Sequence, residues 1–174
     1  MGAYYSRLCD AMTILALEQR SIFLGQAVAY PGTGMSKSFE HVPKAKLLEL
    51  PVAEEMQMGM SIGLSLAGAL PITVYPRWNF LLLAANQLVN HLDAIPRYSD
   101  FRPKVIIRVA SCPTVPLDPG PQHIGDYSDA FRGMLKSVRI VQLDRAEDIV
   151  PAYDRARISQ GSTILVEYPE LYDA

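Results

Sequence analysis

Glu54-Glu55-Met56-Gln57-Met58-Gly59-Met60-Ser61-Ile62-Gly63-Leu64-Ser65-Leu66-Ala67-Gly68-Ala69-Leu70-Pro71-Ile72-Thr73-Val74-Tyr75 holds two structural periods in succession. The first part predicts a helix over about Ala53–Gly68, and Pro71–Tyr75 predicts a buried strand. No charge occurs between Met56 and Pro76, so the stretch is long enough to span a bilayer. Gln57, Ser61, Ser65 and Thr73 are polar, however, and Pro71 would interrupt a helix. A buried helix feeding a buried strand is the expected reading, with no membrane span.

The same alternation extends in both directions. Ser21–Gly25, Leu47–Leu50, Lys104–Ala110, Val138–Leu143 and Thr163–Glu167 read as further strands. Runs such as Val105-Ile106-Ile107 have no polar alternation, which fits a parallel sheet covered on both faces. Helices are expected at about Tyr4–Gln19, Trp78–Ile95, Tyr127–Leu135 and Ala146–Ser159. The pattern predicts an α/β fold: a single doubly wound, mainly parallel sheet with helices on both faces. Two connections are long: Tyr30–Lys46, and Ser111–Gln122 with Pro113, Pro116, Pro119 and Pro121. Both follow strands, and open α/β sheets bind ligands beyond the carboxyl ends of their strands.

A chain of 174 residues suits one domain, and 49% apolar with 20% charged residues is a globular composition. The net charge of −2 and the scattered basic residues give no nucleic-acid surface. Cys9 and Cys112 form neither a zinc site by themselves nor a disulfide framework. With no signal-like N-terminus, a cytoplasmic protein with reduced thiols is expected.

Several residues have a plain and a functional reading. Glu54 and Glu55 suit a solvated first turn through the helix dipole. Gly59 and Gly63 each cost about 1 kcal/mol against alanine in a helix interior, so close packing by another helix is expected to compensate. The residues before the helix, Leu48, Leu50, Pro51, Val52 and Ala53, suggest that the acid sits near a core edge. Phe80 opens the run Phe80-Leu81-Leu82-Leu83, which reads equally as plain core. His123 follows the proline-rich loop. His41 and His91 carry no motif.

Pro51-Val52-Ala53-Glu54, then Gly59 and Gly63, then Leu66-Ala67-Gly68-Ala69-Leu70-Pro71-Ile72, resembles the pyrimidine-binding domain of thiamine-diphosphate enzymes. The closest likeness is to the β subunit of 2-oxoacid dehydrogenases in the transketolase-like superfamily. Phe23-Leu24-Gly25, Trp78-Asn79-Phe80, Gln87-Leu88-Val89-Asn90 and Gln122-His123 extend the likeness over nearly the whole chain. The resemblance implies that residues 1–174 form a pyrimidine-binding domain. Glu54 matches the carboxylate that promotes the cofactor's imino tautomer by sharing a proton with ring nitrogen N1′. Phe80 matches an aromatic packed on the aminopyrimidine, Val52 a position beside that ring, and His123 an active-site histidine that contacts substrate. The register selects Glu54, since counting from Glu55 puts Met60 where the first glycine belongs. Departures occur at Gly25-Gln26-Ala27, where the family commonly carries an acid, and at Ile124-Gly125-Asp126-Tyr127-Ser128.

The superfamily's diphosphate and Mg²⁺ motif is Gly-Asp-Gly with a later Asn. The Gly-Asp of this sequence, Gly125-Asp126, is followed by Tyr127, and no asparagine follows Asn90. Gly32-Thr33-Gly34 and Lys37 match neither a dinucleotide fingerprint nor a P-loop. The diphosphate-binding domain and the C-terminal transketolase-like domain are expected to be absent, whether the chain is naturally short or truncated. The expected partner is a diphosphate-binding subunit carrying Gly-Asp-Gly and Asn and holding Mg²⁺, with no metal ligand from this chain. A homo- or hetero-oligomer through the Gly59/Gly63 helix is expected, acting on a small 2-oxoacid or ketose. The alternatives are a subunit of a split sulfopyruvate-type decarboxylase and a non-catalytic assembly or regulatory protein that retains the fold.

Overall fold

The structure, a computed structural model, describes residues 2–111 and 118–174. Cys112, and with it Pro113 and Pro116 of the proline-rich loop, lie outside the described residues. Six strands form one sheet in the order β2-β1-β3-β4-β6-β5, and every pairing is parallel. They are β1 (Ser21–Gly25), β2 (Leu47–Glu49), β3 (Leu70–Tyr75), β4 (Ile106–Ala110), β5 (Arg139–Gln142) and β6 (Thr163–Glu167).

β3, β4 and β6 are buried at every position. The reason is that helices cover both faces of the sheet. On one face α1 (Ala3–Leu17) and α6 (Ala146–Ile158) contribute Leu8, Met12, Leu15 and Tyr153 to the core. On the other, α2 (Glu54–Leu66), the segment from Trp78 to Leu92 and α5 (Ser128–Met134) contribute Met58, Trp78, Leu88 and Phe131. The indole of Trp78 stacks on Phe131 with ring centroids 5.3 Å apart. Among the described residues no helix is long and apolar enough to cross a membrane.

One expected element is corrected. The helix foreseen over Trp78–Ile95 is a chain of short pieces: α3 (Trp78–Leu81), a 3₁₀ turn (Leu82–Ala84), a π-helical turn (Gln87–Leu92) and α4 (Ile95–Tyr98). Asp93 explains the wide winding. Its backbone N–H reaches back five residues to the Leu88 carbonyl at 2.9 Å. Its fully buried carboxylate accepts the backbone N–H groups of Lys136, Ser137 and Val138 through Oδ1, at 2.9, 2.6 and 2.9 Å. Pro96 then cannot continue the old helix and opens α4 in its first turn.

A buried ion pair ties the carboxyl half of the sheet together. Arg108 on β4 donates through Nε and Nη2 to Glu167 on β6, at 2.8 and 3.1 Å, and through Nη1 to Ser38 Oγ at 2.6 Å. Its guanidinium lies 5.2 Å from the centre of the Phe39 ring, and the Tyr172 hydroxyl donates to Glu167. Burial is the largest single influence and opposes the arginine's charge, but the Glu167 carboxylate together with Tyr153 and Tyr172 outweighs it and holds the Arg108 pKa above its ordinary value. The pair therefore fastens the 3₁₀ turn Ser36–Phe39 and the C-terminal segment to the strand ends.

Candidate functional site at the carboxyl edge

Because all strands are parallel, the connections after β1, β2, β3 and β4 emerge at one edge of the sheet. β1 lies between β2 and β3, so the connection direction reverses there, which is where such sheets bind ligands.

The two acids of α2 separate. Glu54 is 5% exposed, whereas Glu55 is exposed and meets Asn86 and Gln87 only at 3.4 Å. The Gln26 amide donates to Glu54 Oε1 at 3.2 Å, and the Tyr75 hydroxyl donates to the Glu54 carbonyl at 3.2 Å. The loop that carries Gln26 is clipped to β2. The Glu49 carboxylate accepts the N–H groups of Ala27, Val28 and Ala29 at 2.6, 2.9 and 2.7 Å, and Ala27 sits in left-handed backbone with φ of 53°. Gly25 is obligatory before it: φ is +147°, and a Cβ would stand 2.5 Å from the Val74 carbonyl oxygen. Gln57 seals the same corner by donating to Thr73 Oγ1 at 2.8 Å and to the Val74 carbonyl at 2.9 Å.

The second group follows β3 and β4. Phe80 is partly buried and presents its ring to His123 in an edge contact, with centroids 5.5 Å apart and 68° between planes. Among the described residues His123 Nδ1 is buried without a hydrogen-bond partner, as is Asn79 Oδ1, while Asn79 Nδ2 donates to the Tyr127 hydroxyl at 3.2 Å. Unsatisfied buried polar atoms are uncommon and mark places where a ligand or water completes the bonding. Val52 is 77% exposed beside the start of α2. His41 and His91 are exposed.

The expectation of a close helix at the glycines is not met among the described residues. A Cβ at Gly63 would meet nothing within 4 Å, and one at Gly59 would first meet Gln87 at 3.9 Å. The stripe faces outward with Met56 and Leu66 of α2, and Leu82 and Leu83 of the neighbouring segment are also exposed.

An open cavity of about 1020 Å³ adjoins the site, lined by the loop after β1 and by Pro76, Arg77, Ala110, Pro169 and Tyr172. Sequence reading marked Gln26 only as a departure and did not single out Glu49, Arg77, Asn79 or Tyr127. For Glu49 a signal existed, since it is an acid at the end of a short apolar strand. The Gln26–Glu54 and Asn79–Tyr127 contacts span 28 and 48 residues of sequence, too far for a local pattern to show them.

No protein-family model matches the chain. It is similar to the pyruvate dehydrogenase E1 component subunit β of Staurastrum punctulatum, 27% identical over 164 residues that cover 90% of this chain and 48% of that protein. The corresponding subunit of Cyanidium caldarium is 28% identical over 133 residues, covering 74% of this chain and 39% of that protein. The chain thus spans about half the length of the curated relatives it matches. Among solved structures, a split-gene transketolase described as an inactive β4 tetramer superposes with a TM-score of 0.70 at 17% identity, over 92% of this chain and 48% of that one. A putative thiamin diphosphate-dependent enzyme from Mycobacterium smegmatis gives a TM-score of 0.62 at 12% identity, over 92% of this chain and 31% of that one. The fold is that of these transketolase-like structures, and the sequence resemblance to dehydrogenase β subunits is borne out.

Proposed function

We propose that this chain is the pyrimidine-binding half of a split thiamine-diphosphate-dependent enzyme that acts on a 2-oxoacid or ketose, with a partner chain holding the diphosphate and Mg²⁺. The observation that carries the reading is the Glu54 carboxylate, buried at the start of α2 at the carboxyl edge with one side-chain donor, Gln26, among the described residues. The chain's residues fit the aminopyrimidine end of the cofactor. A buried carboxylate suits a ring nitrogen that must share a proton. The unsatisfied Nδ1 of His123 and Oδ1 of Asn79 offer polar contacts beside the Phe80 ring. Bound thiamine diphosphate supplies the electron sink for cleavage next to a carbonyl.

In this reading Glu54 holds a proton at N1′, Phe80 packs on the ring, Val52 flanks it, and His123 faces the substrate and orients its reacting end. The exposed apolar residues around Gly59 and Gly63 receive the partner or a second copy, which covers Val52 as well. The complex is expected in the cytoplasm. The relatives support the proposal by being named as subunits of a multi-component enzyme.

The test is purification of whatever binds this chain in its native cells, then turnover of the complex with Glu54→Gln. Loss of proton sharing is expected to lower turnover by about 10²-fold or more with the complex intact. Unchanged turnover would leave the fold serving assembly alone.

A further inference from the structure

The cavity beyond β1, β3, β4 and β6 has a charge pattern unlike the chain around it. The protein carries a net charge of −2, yet this cavity is lined by Lys37, Lys44 and Arg77 against one acid, Glu40. Both lysines are exposed and enter no ion pair among the described residues. Arg77 differs from them in burial. It stands between the end of β3 and the start of α3 in extended backbone, φ −152° and ψ 149°, and is largely covered. Its Nη1 is buried and has no hydrogen-bond partner among the described residues. Among the described residues no carboxylate pairs with it. A guanidinium always carries its charge, and a buried N–H of such a group left without an acceptor is costly. The remaining wall includes Met35, Phe39, Val42 and Leu47, which are apolar.

We propose that this cavity is an anion-recognition pocket, in which Arg77 takes the carboxylate or phosphate head of a small ligand, with Lys37 and Lys44 guarding the mouth. The apolar wall receives the ligand's carbon skeleton. Arg77 lies three residues before Phe80 in the sequence, and Val28, also in the lining, lies two after Gln26. The pocket is therefore continuous in the chain with both halves of the candidate site. If the ligand is the substrate, an assignment that rests on the proposed function, its far end carries an anionic group in addition to the reacting carbonyl. Anion binding itself does not depend on that function.

Titration calorimetry of the purified chain, with inorganic phosphate and glutarate as separate probes, tests the pocket. At least one probe is expected to bind, and the tighter one identifies the head group as phosphate or carboxylate. Arg77→Met is expected to weaken that binding about ten-fold or more, the worth of one charge-assisted hydrogen-bonded contact. Arg77→Lys, which keeps the charge and loses the fork, is expected to fall between, and Lys136→Met, outside the cavity, to bind as the parent does. Should Arg77→Met not fold, Arg77→Lys and the doubly substituted Lys37→Met/Lys44→Met decide, each with weaker binding expected. Absence of binding by both probes at millimolar concentrations, or parental affinity in the Arg77 variants, overturns the proposal. Anion binding intact beside a complex whose turnover ignores Glu54 would remove the proposed function and leave the pocket standing.

Discussion

Replacing Gln26 with Glu tests the contact on which the candidate site turns. In the native chain an amide N–H of Gln26 meets Glu54 Oε1 at 3.2 Å. In the variant a second carboxylate takes its place. Two full charges at 3.2 Å and an effective dielectric constant of about 20 repel by about 5 kcal/mol. Gln26 is only partly buried, so its replacement relieves part of this by turning toward solvent, and a loss of about 1–3 kcal/mol near pH 7.5 is expected. The sign with pH follows from linkage. One carboxyl of the new pair has a folded pKa above its unfolded value, so the variant is destabilised at neutral pH and recovers as pH falls toward about 4.5 and the pair keeps a proton. Equilibrium urea unfolding of variant and parent at both pH values measures it. An equal deficit at both pH values, or none near neutrality, would refute the argument that Gln26 and Glu54 touch.

Three further outcomes follow from the packing. Glu167→Ala leaves the fully buried Arg108 charge unpaired and should cost about 3–5 kcal/mol in urea unfolding. Pairing Glu167→Leu with Arg108→Met should recover most of that loss. Asp93→Ala strips the acceptor from three backbone N–H groups and should cost at least about 2 kcal/mol, with faster amide hydrogen exchange at Lys136, Ser137 and Val138. Burial pushes Tyr5 up to about 12 from an ordinary 10, and Tyr4, Tyr75 and Tyr153 are also raised, chiefly by burial. The folded state keeps phenolic protons that the unfolded chain releases, so stability should hold below about pH 10 and fall as pH climbs toward 12. Thermal unfolding across that range reads the decline, and a flat profile would count against buried phenols.

The parallel sheet and the position of the site were legible in the sequence because both rest on local periods. Uninterrupted apolar runs such as Val105–Ile107 and Ile164–Val166 require cover on both faces. Parallel strands separated by helices then force the intervening loops to one edge. Glu54 was legible as a helix-initiating acid, and the family resemblance distinguished it from Glu55. What the local pattern could not give was the side chain's environment: α2 rolls Glu54 inward and Glu55 out because Met58 and Ile62 are drawn into the core. The broken helix after β3 was illegible for a similar reason. Its apolar spacing is that of a regular helix, and the π turn answers to Asp93 and a loop more than 40 residues away. Arg108 and Glu167 each appear in sequence as one charge in an apolar strand. Only the sheet register, with Ala110 opposite Glu167, brings them together diagonally on one face. Local backbone preference and hydrophobic period thus determined the strands, the topology class and the acid at α2. Tertiary contact alone decided that Gln26 meets Glu54, that His123 meets Phe80, and that Arg77 faces a cavity, because those partners lie far apart along the chain and meet only when the sheet is assembled.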